Sequence, residues 1–142
     1  MSQQKAADVV LSFVQDAIPY QYDSTTYSAE EYWQFPLETL YLGTGDCEDT
    51  SILFAAICKQ MGWDAALFLL YGHMAAGVTL DEFTDETPGR SSYLSSKTNY
   101  CTSSDGTRYY YCETTGDSDS YHVGDVPSGQ SLYAVMPVGT IA

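Results

Sequence analysis

Residues 45–61 read GDCEDTSILFAAICKQM, and this stretch decides the fold. Beyond its first turn it continues as ILFAAIC, which is entirely apolar, so the helix it predicts is buried on almost every side. Asp46 and Asp49 stand three residues apart at its start, in the pattern of a helix cap. We therefore predict a central buried helix that starts at Cys47 and ends at Gly62.

The position of Cys47 raises a question of charge. At a helix start, the dipole and the free backbone N–H groups favour a thiolate and can also bind an oxyanion. The neighbouring carboxylates of Asp46, Glu48 and Asp49 oppose that ionisation. Cys47 is therefore either an inert core thiol or one part of a site in which another residue supplies the positive charge.

Segments typical of β-strands follow the helix. AALFLLY at 65–71 is a continuous apolar run of strand length, and HMAAGVTL at 73–80 alternates between two faces. The His73 face of that alternation carries small residues, which predicts that a bulky group packs closely over it. Segments 97–102 and 107–114 flank SSDG as a hairpin, and SLYAVMPV at 131–138 predicts a last strand.

Two further segments complete the predicted architecture. Residues 3–18 form an amphipathic helix whose apolar side carries Ala6, Val10, Phe13, Val14 and Ala17. Pro36 starts a short helix or turn, and the acidic, Ser/Thr-rich segment 81–96 is a surface loop or flap. The order of elements predicts one α+β domain over residues 1–142, with the buried helix packed on an antiparallel sheet.

The composition excludes several classes of function. Among 142 residues, 19 acidic side chains against 5 basic ones give a formal net charge of -14. Binding to nucleic acid is not expected, because phosphate contacts require clustered Lys and Arg. No apolar run approaches the roughly 18 residues of a membrane span. The compartment stays open among the cell exterior, a domain excised from an anchored protein, and the cytoplasm.

The four cysteines indicate no metal site and no cofactor, because none of them forms a CxxC pair. Cys101 and Cys112 flank the predicted hairpin, and a disulfide across it is one interpretation. Cys58 falls inside the apolar helix and is interpreted as a small core residue.

A thiol nucleophile needs a base within hydrogen-bond reach and a third group that orients this base. His73 begins a predicted strand and Glu113 ends a later one, so both can meet the first turn of the helix at Cys47. A protonated His73 would supply the missing positive charge, and the three acidic neighbours of the cysteine need not face its sulfur. Each residue also has a purely structural interpretation, as a core thiol, a satisfied core histidine and an ordinary strand end.

Several motifs in this order resemble the transglutaminase-like superfamily: GTGDCEDTSILFAAICKQMGWDA, then GHMAAGV, then YYYCETTG and VGDVP. The resemblance is strongest to small archaeal and bacterial members that are regarded as cysteine peptidases. It includes the upstream FVQDAIPYQYD and YWQFPLETL, and so covers about residues 9–135. It implies a papain-like core in which Cys47 is the nucleophile, His73 is the general base and Glu113 replaces the commoner Asp.

The resemblance also implies a donor upstream of the cysteine that completes the oxyanion hole, and Trp33 or Gln34 can fill that role. His122, in a polar loop interpreted as exposed, is an alternative base. Asp117 and Asp119 are candidates for Ca²⁺, although an EF-hand spacing is absent.

The function predicted from these residues is acyl transfer on protein amides through a Cys47, His73 and Glu113 triad. Peptide or amide hydrolysis is the leading prediction, with a protein or peptide as substrate. A transglutaminase that crosslinks proteins and a non-catalytic surface binding module of the same fold are the alternatives. The sequence does not identify the substrate or the oligomeric state.

Overall fold

The computed structural model describes residues 2–18, 36–43, 45–84, 100–116, 121–127 and 132–139. Within those residues it has three helices, α1 (Gln3–Ala17), α2 (Pro36–Leu42) and α3 (Cys47–Gln60). It has five strands there, β1 (Ala65–Leu70), β2 (His73–Val78), β3 (Tyr100–Thr102), β4 (Arg108–Cys112) and β5 (Leu132–Pro137).

The five strands form one antiparallel sheet in the order β3-β4-β2-β1-β5. β1 and β2 lie at its centre and pair along their whole length, from Ala65 opposite Val78 to Leu70 opposite His73. Helix α3 packs on these two strands. The predicted α+β arrangement, in which the cysteine-bearing helix lies on an antiparallel sheet, is confirmed.

Helix α3 starts where the sequence predicts. The Asp46 carboxylate accepts from the Asp49 backbone N–H at 3.0 Å, and the Asp49 carboxylate accepts from the Asp46 N–H at 3.2 Å. This reciprocal capping satisfies two backbone donors at the helix start. Met61 caps the other end, and Gly62 follows with a φ of +84°, a conformation that glycine adopts without strain.

Helix α1 has the predicted extent, and the prediction of its buried side is correct for Val14 and Val10 but wrong for Phe13 and Ala17. Ala7, Leu11 and Val14 are buried in the core and Val10 packs against it, whereas Phe13 is 46% exposed. The prediction missed this because polar Gln4 and Gln15 lie on the inner side. They are buried because their amides hydrogen-bond to backbone groups of distant segments.

The two faces of the sheet carry different clusters. One packs Ala76, Val78 and Cys112 with apolar residues of α1 and α3. The other joins Phe68 and Ala75 with neighbouring tyrosines. On this second face a Cβ at Gly77 would lie within 2.9 Å of the Tyr109 Cβ and closer still to the Phe68 ring. The expectation that a bulky group covers the small residues of β2 is confirmed.

All four cysteines are free thiols. Cys101 lies opposite Tyr109 in the hairpin and packs on the second face of the sheet, whereas Cys112 belongs to the cluster on the helix face. Because strand side chains alternate, the two sulfur atoms point to opposite sides and no disulfide joins them. Cys58 is fully buried in the helix-face cluster, as its apolar surroundings predict.

The acidic segment 81–96 is described only as far as Thr84, without regular structure. Over the described residues, no helix is both long and apolar enough to cross a membrane.

Candidate active site

His73 and Glu113 form a close pair on neighbouring strands. The His73 Nε2 atom lies 2.9 Å from both carboxylate oxygens of Glu113. His73 is the first residue of β2, and Glu113 directly follows β4, which pairs with β2. The Glu113 side chain is 4% exposed and that of His73 is 17% exposed. His73 and Glu113 therefore lie beside each other at the edge of the candidate site.

Glu113 is held by groups that the sequence did not identify. The Tyr111 hydroxyl donates to Oε1 at 3.0 Å, and the Thr115 hydroxyl donates to Oε2 at 2.8 Å. The Gln15 amide of α1 donates to the Glu113 backbone carbonyl at 2.8 Å. Strand alternation places Tyr111 on the same face as Glu113, which is the one sequence signal that indicated any of these contacts. Two hydroxyls thus hold the Glu113 carboxylate, and the Gln15 amide holds the backbone of the same residue.

The electrostatics of the pair follow from this burial. Burial acts to lower the pKa of His73, but the hydrogen bond and charge of Glu113, with a smaller contribution from Glu48, raise it above its ordinary value of 6.5. Burial first, and then the Glu113 charge, raises the pKa of Tyr111, so its hydroxyl stays a proton donor. The imidazole is consequently oriented by a carboxylate that stabilises its protonated form.

Cys47 occupies the first turn of α3 and is 8% exposed. Its thiol donates to the carboxylate of Glu48, with Sγ and Oε2 3.5 Å apart. Burial and the negative charge of Glu48 raise the pKa of Cys47 to about 12, against a lowering contribution from a hydrogen bond of the Met74 backbone. Met74 is the residue after His73, so the thiol lies beside the start of β2.

The three acidic neighbours of Cys47 do not all point the same way. Asp46 and Asp49 cap the helix and face its backbone, as expected. Glu48, which the sequence left free to face away from the sulfur, instead folds its flexible side chain back onto the neighbouring thiol. No hydrogen bond joins the Cys47 thiol to the His73 ring among the described residues. The cysteine is therefore neutral in this structure.

The other residues singled out by the sequence are placed as follows. His122 is half-buried rather than exposed, and its backbone N–H donates to Asp125 at 2.8 Å. The oxyanion-hole candidates Trp33 and Gln34 lie outside the described residues, and so do the calcium candidates Asp117 and Asp119. Within the described part of the chain, no group of three or more His, Cys, Asp or Glu side chains could hold a metal ion.

The described residues form an α+β arrangement in which a buried helix carries a cysteine in its first turn. This helix packs on an antiparallel sheet that pairs a histidine with a glutamate. The profile of the transglutaminase-like superfamily matches residues 1–123 of the 142, and the chain belongs to this superfamily. A search of curated proteins found no match. Because the superfamily contains cysteine peptidases and transglutaminases, membership supports a cysteine-dependent acyltransferase or peptidase.

Proposed function

We propose that the protein catalyses thiol-dependent acyl transfer on protein or peptide amides, with hydrolysis as its main outcome. The observation that carries this proposal is the contact of His73 Nε2 with both oxygens of Glu113, 2.9 Å from each. A buried carboxylate that holds a histidine in this way fixes the orientation of its ring, as is typical of a general base. The superfamily match supplies the class of reaction.

In the proposed reaction the Cys47 sulfur attacks the amide carbonyl carbon while His73 takes the thiol proton. The C–N bond then breaks, and the imidazolium returns that proton to the leaving amine. Water attacks the resulting thioester, which yields a carboxylic acid and the free thiol. Glu113 keeps the ring in place and stabilises its positive charge. Backbone N–H groups at the start of α3 are suited to bind the developing oxyanion.

This chemistry requires the thiol to exchange its hydrogen-bond partner. Nε2 of His73 is engaged by Glu113, so Nδ1 is the nitrogen that would receive the proton. Glu48 is half-buried on the outer part of the first turn, and rotation of its side chain toward water releases the sulfur. The proposed activation is thus a transfer of the thiol proton to Nδ1 of His73 in the form of the protein in which Glu48 has turned toward water.

Two alternatives share this fold. A crosslinking transglutaminase would form the same thioester and resolve it with a lysine amine instead of water. A non-catalytic binding module is favoured by one observation, the hydrogen bond from the Cys47 thiol to Glu48 with a pKa of about 12. The choice between catalyst and binding module depends on whether His73 acts on Cys47 in solution.

The deciding experiment is the pH dependence of iodoacetamide alkylation at Cys47, followed by peptide mapping. Wild type and His73→Ala are compared, with fully buried Cys58 as an internal control for unfolding. We expect alkylation of Cys47 to be faster than that of Cys58 and to slow when His73 is removed. If Cys47 is as inert as Cys58 and does not respond to His73→Ala, the protein is a binding module and the catalytic proposal fails.

The acyl acceptor is tested with glutamine-containing peptides incubated with and without a fluorescent primary amine. A hydrolase releases ammonia or new chain ends whether or not the amine is present. Incorporation of the amine in place of hydrolysis would identify a transglutaminase. Cys47→Ala serves as the blank for both reactions.

A further inference from the structure

Three buried hydroxyl groups contact one another beneath the candidate site. The Thr114 Oγ1 atom lies 2.8 Å from the Thr50 Oγ1 and 3.0 Å from the Ser51 Oγ. Each of the three residues is at most 1% exposed. Thr50 and Ser51 belong to the second turn of α3, whereas Thr114 follows β4. These bonds thus join the cysteine-bearing helix to the segment that carries Glu113.

The hydrogen-bond partners of the three hydroxyls determine which of them donates to which. The Thr50 hydroxyl donates to the Asp46 backbone carbonyl at 2.9 Å, which uses its one proton. Thr50 must therefore accept the proton of Thr114, and Thr114 is left to accept from Ser51. The resulting order of donation is Ser51 to Thr114 to Thr50 to the carbonyl of Asp46. Thr50 and Thr114 each donate once, and Thr114 is the central member. The Ser51 proton lies between two acceptors, Thr114 at 3.0 Å and the Met74 carbonyl at 3.4 Å.

This chain of hydroxyl hydrogen bonds contacts all three segments of the candidate site. Asp46, its last acceptor, is the residue before Cys47. The Ser51 hydroxyl also lies 3.4 Å from the backbone carbonyl of Met74, the residue after His73. Thr114 is the residue after Glu113, and the two point to opposite sides, Thr114 to α3 and Glu113 to His73. A displacement of Thr114 therefore changes where the Glu113 carboxylate meets the imidazole.

We propose that Thr114 is a positioning residue for the Glu113 and His73 pair, acting through its hydroxyl bonds to Thr50 and Ser51. The hydroxyl bonds hold the end of β4 against α3 and so fix the distance between Glu113 and His73. The catalytic meaning of this inference rests on the proposed function, but the positioning itself does not. A valine at position 114 has nearly the same shape and lacks only the hydroxyl, which separates hydrogen bonding from packing.

The test compares Thr114→Val with Thr114→Ser, which keeps the hydroxyl. The first measurement is the pKa of His73 by NMR titration of its ring protons, which is simple because the chain has two histidines. His73→Ala assigns the signal. We expect Thr114→Val to lower the pKa of His73, since the carboxylate that raises it moves away, and Thr114→Ser to retain the wild-type value.

Val78→Ala is the control for a purely structural effect. Val78 is fully buried at the other end of β2, and its truncation destabilises the core without touching the hydroxyl chain. If Thr114→Val lowers the melting temperature but leaves the His73 titration at the wild-type value, as Val78→Ala does, the inference is overturned. Should Thr114→Val not fold, Ser51→Ala removes one donor to Thr114 and is read by the same titration.

The iodoacetamide profile of Cys47 separates this inference from the proposed function. If wild-type Cys47 does not respond to the loss of His73, the catalytic proposal fails, while the NMR titration still decides the role of Thr114. If both hold, Thr114→Val slows the His73-dependent alkylation several-fold and Thr114→Ser restores it. If Thr114→Val changes neither the alkylation rate of Cys47 nor the titration of His73, the inference about Thr114 fails while the proposed function stands.

Discussion

Glu48 accepts a hydrogen bond from the thiol of Cys47, its neighbour in the first turn of α3, with 3.5 Å between Oε2 and Sγ. The same carboxylate raises the pKa of Cys47 and contributes to the raised pKa of His73. It therefore stabilises a protonated thiol and a protonated imidazole together. Removal of the Glu48 charge is expected to favour the thiolate.

Glu48→Gln should accelerate the alkylation of Cys47 by iodoacetamide at pH 8. The substitution removes a negative charge beside the sulfur, and each unit by which the thiol pKa falls increases the thiolate fraction roughly tenfold. Asp81→Asn is the matched control, because Asp81 is an exposed carboxylate of a distant loop and its loss changes the net charge equally. Equal rates in Glu48→Gln and Asp81→Asn would show that Glu48 does not govern the thiol.

Tyr111→Phe tests whether the carboxylate of Glu113 depends on its buried donor. The lost hydroxyl donates to Oε1 at 3.0 Å, and a hydrogen bond to a charged group contributes about 1.5–3 kcal/mol. Urea unfolding should show a loss of that order in the free energy of unfolding. Tyr109→Phe, two residues earlier on the same strand face, is the control and should cost less. If both variants unfold at the same urea concentration, the Tyr111 hydroxyl does not stabilise the Glu113 carboxylate.

The regular structure was largely predictable because it depends on local patterns. The apolar run of α3 and the alternation of β2 are properties of a few adjacent residues, and a helix or strand follows from them directly. The buried side of α1 was not predictable in this way. Gln4 is buried through a partner 80 residues away and Gln15 through one 98 residues away, and no local pattern indicates such contacts.

The contact between His73 and Glu113 was predictable from the sequence, whereas the surroundings of Cys47 were not. His73 and Glu113 could be expected to meet because strand alternation indicates the face of the sheet that each of them occupies. The orientation of Glu48 depends on a single side-chain rotamer, and the hydroxyl chain through Thr114 depends on how α3 sits against β4. Neither is encoded in the spacing of residues along the chain, so both require the folded structure.

The pair of His73 and Glu113 predicts a pH dependence of stability. Because the folded-state pKa of His73 is raised above 6.5, its protonated form stabilises the fold fully below pH 6.5. That contribution is lost as the pH rises through the folded-state pKa. The difference in unfolding free energy between wild type and His73→Asn should thus shrink from pH 6 to 8. A difference that stays constant over this range, measured by urea unfolding, would contradict the raised pKa.

Gly77→Ala tests the close packing over β2. The added Cβ would lie within 2.9 Å of the Tyr109 Cβ and closer to the Phe68 ring, both in a buried cluster on the same face as His73. Overpacking of this kind costs roughly 1–3 kcal/mol, because the rings must leave their preferred positions. Gly139→Ala is the control, since a Cβ there meets no atom within 4 Å. Thermal unfolding should show a lower melting temperature for Gly77→Ala alone, and equal values for the two variants would mean that the Phe68 ring moves aside without cost.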